Sequence, residues 1–156
     1  MKAAFDAVDR RLATSMQRVG IRALRVSLAV IFVWFGILKP FGLSPAAPLV
    51  EATVAWLPLL LPHTWVAMIG WWEVVIGVTF LFRRTIRVAI ALLAAQMAGT
   101  FLPLIMLPDV TFQPGGIPFA PTMEGQYIIK NLLIISAALV VGGTVRERPK
   151  TSLAST

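Results

Sequence analysis

Residues 121–143 read PTMEGQYIIKNLLIISAALVVGG. The run is apolar enough to enter a bilayer, yet Glu124, Gln126, Tyr127, Lys130 and Asn131 crowd its start. Pro121 closes a loop and Thr122 carries the side chain of a helix N-cap. Glu124 then falls in the first turn, where a carboxylate favours the helix dipole. Tyr127, Lys130, Asn131 and Ile134 recur at helical spacing and so share one face. A lysine and an asparagine on one face of a membrane helix need partners. The rest of the chain is read by asking where those partners come from.

The composition sets the class. Hydrophobic residues make up 58% of the 156 and charged residues only 13%, with a mean hydropathy of +0.82. That is the make-up of an integral membrane protein rather than a soluble globule. The alternating segments of a barrel are absent, so the expected class is an all-α membrane protein. With no cysteine, the chain offers no thiolate for a metal, an iron–sulfur cluster or disulfide exchange. A single histidine, His63, rules out a bis-His haem within one chain and reads as a loop residue. No catalytic residue, metal site or intrinsic cofactor is therefore nominated. The net charge of +7 does not argue for nucleic acid, because the positive residues flank apolar segments and serve topology instead.

Four spans are expected, at about 20–38, 64–82, 86–107 and 123–143, forming a four-transmembrane-helix bundle. Ahead of them, residues 1–19 lack the apolar core of a signal peptide. Phe5, Val8, Leu12, Met16 and Val19 take one helical face, with Arg10, Arg11, Gln17 and Arg18 opposite. This segment is expected to be an amphipathic helix on the cytoplasmic membrane surface. Between the first two spans, Pro40, Pro45, Pro48, Pro58 and Pro62 leave room only for a short interfacial or re-entrant helix, about 48–57. It is too short to cross ~30 Å of hydrocarbon. In the second span Gly70 and Gly77 flank Glu73 and would let a neighbouring helix approach closely. In the third, Gln96 and Thr100 lie one turn apart, and Pro103 is expected to kink the far end. Residues 144–156 form a polar tail.

All but two of the fourteen lysines and arginines lie in the N-terminal region, the turn between the second and third spans, or the tail. The positive-inside rule then places both termini in the cytoplasm. All five tryptophans fall at the opposite end. So do Lys39, Glu73, Glu124, Tyr127 and Lys130, so any site opens outward.

WFGILK at 34–39, GWWEVVIG at 70–77 and PTMEGQYIIKNL at 121–132 resemble the DoxX-like superfamily. The nearest likeness is its YkgB branch, which includes a reactive-chlorine resistance membrane protein. The resemblance covers about residues 20–143. It implies a four-helix protein of the bacterial inner membrane, with some relatives linked to oxidative-stress defence and a more distant one a subunit of a thiosulfate:quinone oxidoreductase.

Three functions fit these residues. One is an accessory subunit of a membrane-linked redox or oxidative-stress system, non-catalytic alone, holding a quinone-like ligand. The candidate ligand-binding residues are Lys39, Glu73, Gln96, Glu124, Tyr127, Lys130 and Asn131, with tryptophans walling the ring. Pockets of this type need mostly apolar lining and few polar groups. The second is a small solute or proton carrier. The third is a structural or docking protein, its charges serving as interhelical ties. Partners would be membrane lipids and either a redox enzyme or further copies of the chain. Within the site, Glu73 and Lys130 enter from one side at similar depth and are expected to face one another, with Lys39 joining them and leaving one positive charge to spare. Alternatively, Lys130 snorkels out to Glu124.

Overall fold

A computed structural model describes residues 2–146. Its elements are α1 (Lys2–Leu38), α2 (Ala47–Val54), α3 (Pro62–Leu81), α4 (Ile86–Phe101), α5 (Pro103–Met106), α6 (Pro108–Thr111), α7 (Met123–Ile129) and α8 (Asn131–Gly143), closed by a 3-10 turn at Thr144–Arg146. No strand forms among the described residues; Phe112 and Pro121 make an isolated bridge. Four stretches are long and apolar enough to cross a membrane: Val8–Leu38, Pro62–Leu81, Ile86–Met106 and Met123–Gly143. The chain is a multi-pass membrane protein with four candidate spans. Each of those spans packs on two others, α1 on α3 and α8, and α4 on α3 and α8, which closes a four-sided bundle.

Burial at the bundle centre follows the apolar faces. Leu28, Phe32, Ile76, Phe80, Leu93 and Val141 are among the buried residues of one continuous core. The core runs from Phe80 at the close of α3 and Ile86 at the start of α4, beside the Arg83–Arg87 turn, along α4 to Met97. The residues of that core are apolar, and among the described residues the one salt bridge, Lys39–Glu73, lies toward the other end of α3.

Three boundaries depart from the sequence reading. The first concerns residues 1–19, expected to be an element apart from the first span. The structure instead has one unbroken helix of 37 residues through Gly20. A glycine inside a helix costs only about 1 kcal/mol relative to alanine, and the helix contains no proline to stop it. The second concerns the fourth span, which is interrupted at Lys130 between α7 and α8. The Asn131 amide donates to the carbonyls of Tyr127 and Ile128, at 3.0 and 3.1 Å. Short amide side chains compete for backbone groups in this way. The third concerns His63, which lies exposed in the first turn of α3 rather than in a loop.

Other boundaries match their causes. Pro48 sits in the first turn of α2, where its missing N–H is no loss. Pro103 separates α4 from α5. Thr122 caps α7, accepting the Gly125 N–H at 3.2 Å while donating to Val110 at 2.7 Å. Most of the expected polar tail, 147–156, lies outside the described residues.

Candidate functional site

Lys39 is placed by the way α1 ends. Proline disfavours helix at the residue before it, and Pro40 follows Lys39. The Lys39 N–H closes on Gly36 at 3.2 Å, and Gly42 takes the left-handed φ of 71° that turns the chain away. Lys39 is nonetheless buried, because its side chain turns back onto α3.

α3 meets α1 at close range. A Cβ on Gly36 would stand 2.8 Å from the Gly70 carbonyl oxygen and 2.9 Å from the Glu73 Cβ. A Cβ on Gly70 would stand 2.6 Å from both the Gly36 carbonyl oxygen and the Lys39 Cβ. One turn of helix separates Gly36 from Lys39, and one turn separates Gly70 from Glu73. The antiparallel crossing of the two glycines therefore sets the lysine beside the carboxylate. Gly77 repeats the contact two turns further on, against Ala29 and Val33.

The result is a three-helix cluster. Lys39 Nζ donates to Glu73 Oε2 in an ion pair, and Gln96 Nε2 of α4 donates to Glu73 Oε1 at 3.1 Å. The side chains of Lys39 and Glu73 are only 7% and 13% exposed. Both carboxylate oxygens are thus occupied, which offsets much of the cost of holding the charge away from water. Thr100, one turn beyond, donates to the Gln96 carbonyl at 3.0 Å. The cluster is neutral overall.

The fourth helix contributes no polar side chain to it. Gly125 and Ile128 are the buried residues of α7. Lys130 lies two positions past Ile128, on the opposite face. It is exposed, with its ammonium 5.4 Å from the centroid of the exposed Tyr127 ring. No salt bridge joins Lys130 to Glu73 or to Glu124 among the described residues. The expectation that Glu73 and Lys130 face one another is corrected accordingly: Lys39 holds that place. Equal depth along two helices says nothing about azimuth. The spare positive charge expected for the cluster goes with Lys130. Glu124 is exposed in the first turn of α7, and Asn131 spends its amide on its own helix. Of the seven candidates, the structure gathers Lys39, Glu73 and Gln96 and leaves Glu124, Tyr127, Lys130 and Asn131 apart.

Trp34, Trp56, Trp71 and Trp72 are exposed, an arrangement suited to a membrane-interface belt. The Trp72 indole donates to the Leu92 carbonyl at 3.3 Å, tying α3 to α4 one turn from Gln96. Sequence reasoning missed Gly36. Its signal was the paired spacing of GILK and GWWE, a glycine one turn before each charge. Among the described residues no cluster of three His, Asp or Glu could hold a metal ion.

No family model, curated protein or solved structure matches the chain.

Proposed function

We propose that the chain is a small inner-membrane protein of the DoxX-like kind, with both termini cytoplasmic, serving as an accessory subunit of a membrane-linked redox or oxidative-stress system. Its Lys39–Glu73–Gln96 cluster receives the carbonyl head of a quinone-like ligand. The observation that supports this is donor capacity. An ammonium carries three N–H groups, and Lys39 has one side-chain partner, Glu73. The cluster therefore has donors to offer and no free carboxylate oxygen. Because it is neutral, a neutral carbonyl suits it better than an anion. An apolar ring with one or two acceptors, partitioning from the lipid, has that chemistry.

The test is purification in mild detergent with mass spectrometry of extracted lipids and quinones, beside Lys39→Met and Gln96→Leu. Stoichiometric quinone in the parent chain, lost in both variants, is the expected result. A parent chain without quinone, or variants that retain it fully, would overturn the proposal.

A further inference from the structure

We infer that the groove between α1 and α3 holds one acyl chain of an anionic phospholipid, whose phosphate rests on Arg25 and Arg22. Ala29, Val30, Val33 and Ile37 of α1 line this apolar groove of about 500 Å³ together with Leu81 of α3. From Ala29 to Leu38 it runs about 14 Å along the helix. One leaflet of a bilayer with ~30 Å of hydrocarbon has much the same depth.

The groove has a charged end. Arg22 and Arg25 continue the stripe of Ala29, Val33 and Ile37 in steps of three and four, so they lie on the face that lines it. The contacts of the two helices give the level. Gly36 meets Gly70, and Ala29 meets Gly77 an equal step along both helices. One further turn brings Arg25 level with Leu81. Arg22 then stands at the level of the turn after α3, which carries Arg83 and Arg84.

Arg25 is half-buried, and its Nε is buried with no hydrogen-bond partner among the described residues. A buried N–H of this kind needs an acceptor. The chain offers no carboxylate there: no Asp or Glu lies between Gln17 and Leu38, between Val74 and Thr100 or between Gly125 and Arg146.

Charge complementarity therefore selects the occupant. A partner helix filling the groove would have to bring its own acid to the level of Arg25. A phospholipid carries its phosphate at the end of its chains, and a guanidinium matches phosphate with paired N–H donors. Basic pockets between membrane helices recognise anionic headgroups in this way. A free phosphate shares the headgroup chemistry but leaves the groove empty.

The experiment uses the full chain, delipidated in mild detergent and titrated with phosphatidylglycerol or phosphatidylcholine, with bound lipid counted by native mass spectrometry. Arg25→Met removes the headgroup contact, and Val30→Trp, at an exposed groove residue, fills the groove. Arg87→Met removes an exposed arginine from α4, the helix that does not border the groove, and is the control. We expect a single phosphatidylglycerol on the parent chain, preferred about tenfold over phosphatidylcholine, and about tenfold weaker in Arg25→Met, as loss of a charge-assisted hydrogen bond implies. Val30→Trp should lose it too, Arg87→Met should keep it, and millimolar inorganic phosphate should not displace it. Phosphatidylglycerol should also raise the melting temperature of the parent chain and not that of either groove variant. Equal uptake of the two lipids, or equal losses in Arg25→Met and Arg87→Met, would overturn the site, as would displacement by inorganic phosphate or full retention in Val30→Trp. So would a parent chain that takes up neither lipid, as when a protein helix or the tail of a quinone fills the groove. Arg25 stands about 21 Å along α1 from Lys39, so phosphatidylglycerol lost in Arg25→Met and quinone lost in Lys39→Met are separate results.

Discussion

Lys39 and Glu73 form a buried ion pair across a close crossing of α1 and α3, where Gly36 and Gly70 leave no room for a Cβ. The pair and the crossing depend on one another. The glycines bring the two backbones close enough for the charges to meet, and the charges make the close approach worth keeping in an apolar medium. Gln96 completes the arrangement from α4, so three of the four spans are tied at one point.

Breaking the pair from one side should be costly, because it leaves a buried charge alone, typically about 3–5 kcal/mol. Lys39→Met and Glu73→Gln should each lower the melting temperature in detergent. The Lys39→Met/Glu73→Gln double variant should recover part of the loss. Strictly additive losses would show that the two do not interact.

Gly36→Ala and Gly70→Ala should destabilise by about 1–3 kcal/mol, as overpacking does, through separation of α1 from α3. Gly99→Ala is the control, since nothing stands within 4 Å of a Cβ there. It should be neutral or stabilise by up to ~1 kcal/mol through helix propensity. Equal effects at all three glycines in thermal melts would refute the close crossing.

Topology is open to direct measurement. The positive-inside bias leads us to expect that a cysteine at Gln113, in the turn between α6 and α7, labels with an impermeant thiol reagent in intact cells, while one at Ser152 labels only after lysis. The reverse pattern would put both termini outside and turn the proposed site toward the cytoplasm.

The number of spans, and their approximate ends apart from the start of the first, were legible because hydropathy and proline placement act locally. Lys39-Pro40 stops a helix, Pro48 starts one and Pro103 interrupts one, whatever surrounds them. Gly70 could be read as a point of close approach, but not its partner. What the sequence did not carry was rotation of each helix about its axis. Glu73 and Lys130 share a depth, and depth was all that counting residues could supply. The direction a polar face takes depends on which neighbour covers the adjoining apolar residues, and that is a property of the whole bundle. Competing side-chain bonds were equally hidden. At the interruption at Lys130 the Asn131 amide donates to two carbonyls of its own helix at once.

Lys130 provides the sharpest contrast between those two readings. Had it faced Glu73, removing its charge would leave the carboxylate buried and alone, and Lys130→Met would cost as much as Lys39→Met. In the structure Lys130 is exposed and rests near the Tyr127 ring, with its long side chain free to carry the ammonium toward headgroups. Lys130→Met should therefore change stability by no more than about 0.5 kcal/mol, the usual range for an exposed site. It should also leave the Lys39–Glu73 coupling energy unchanged when the double-mutant cycle is repeated in its background. A loss in that background comparable to Lys39→Met, or a changed coupling, would place Lys130 inside the bundle after all.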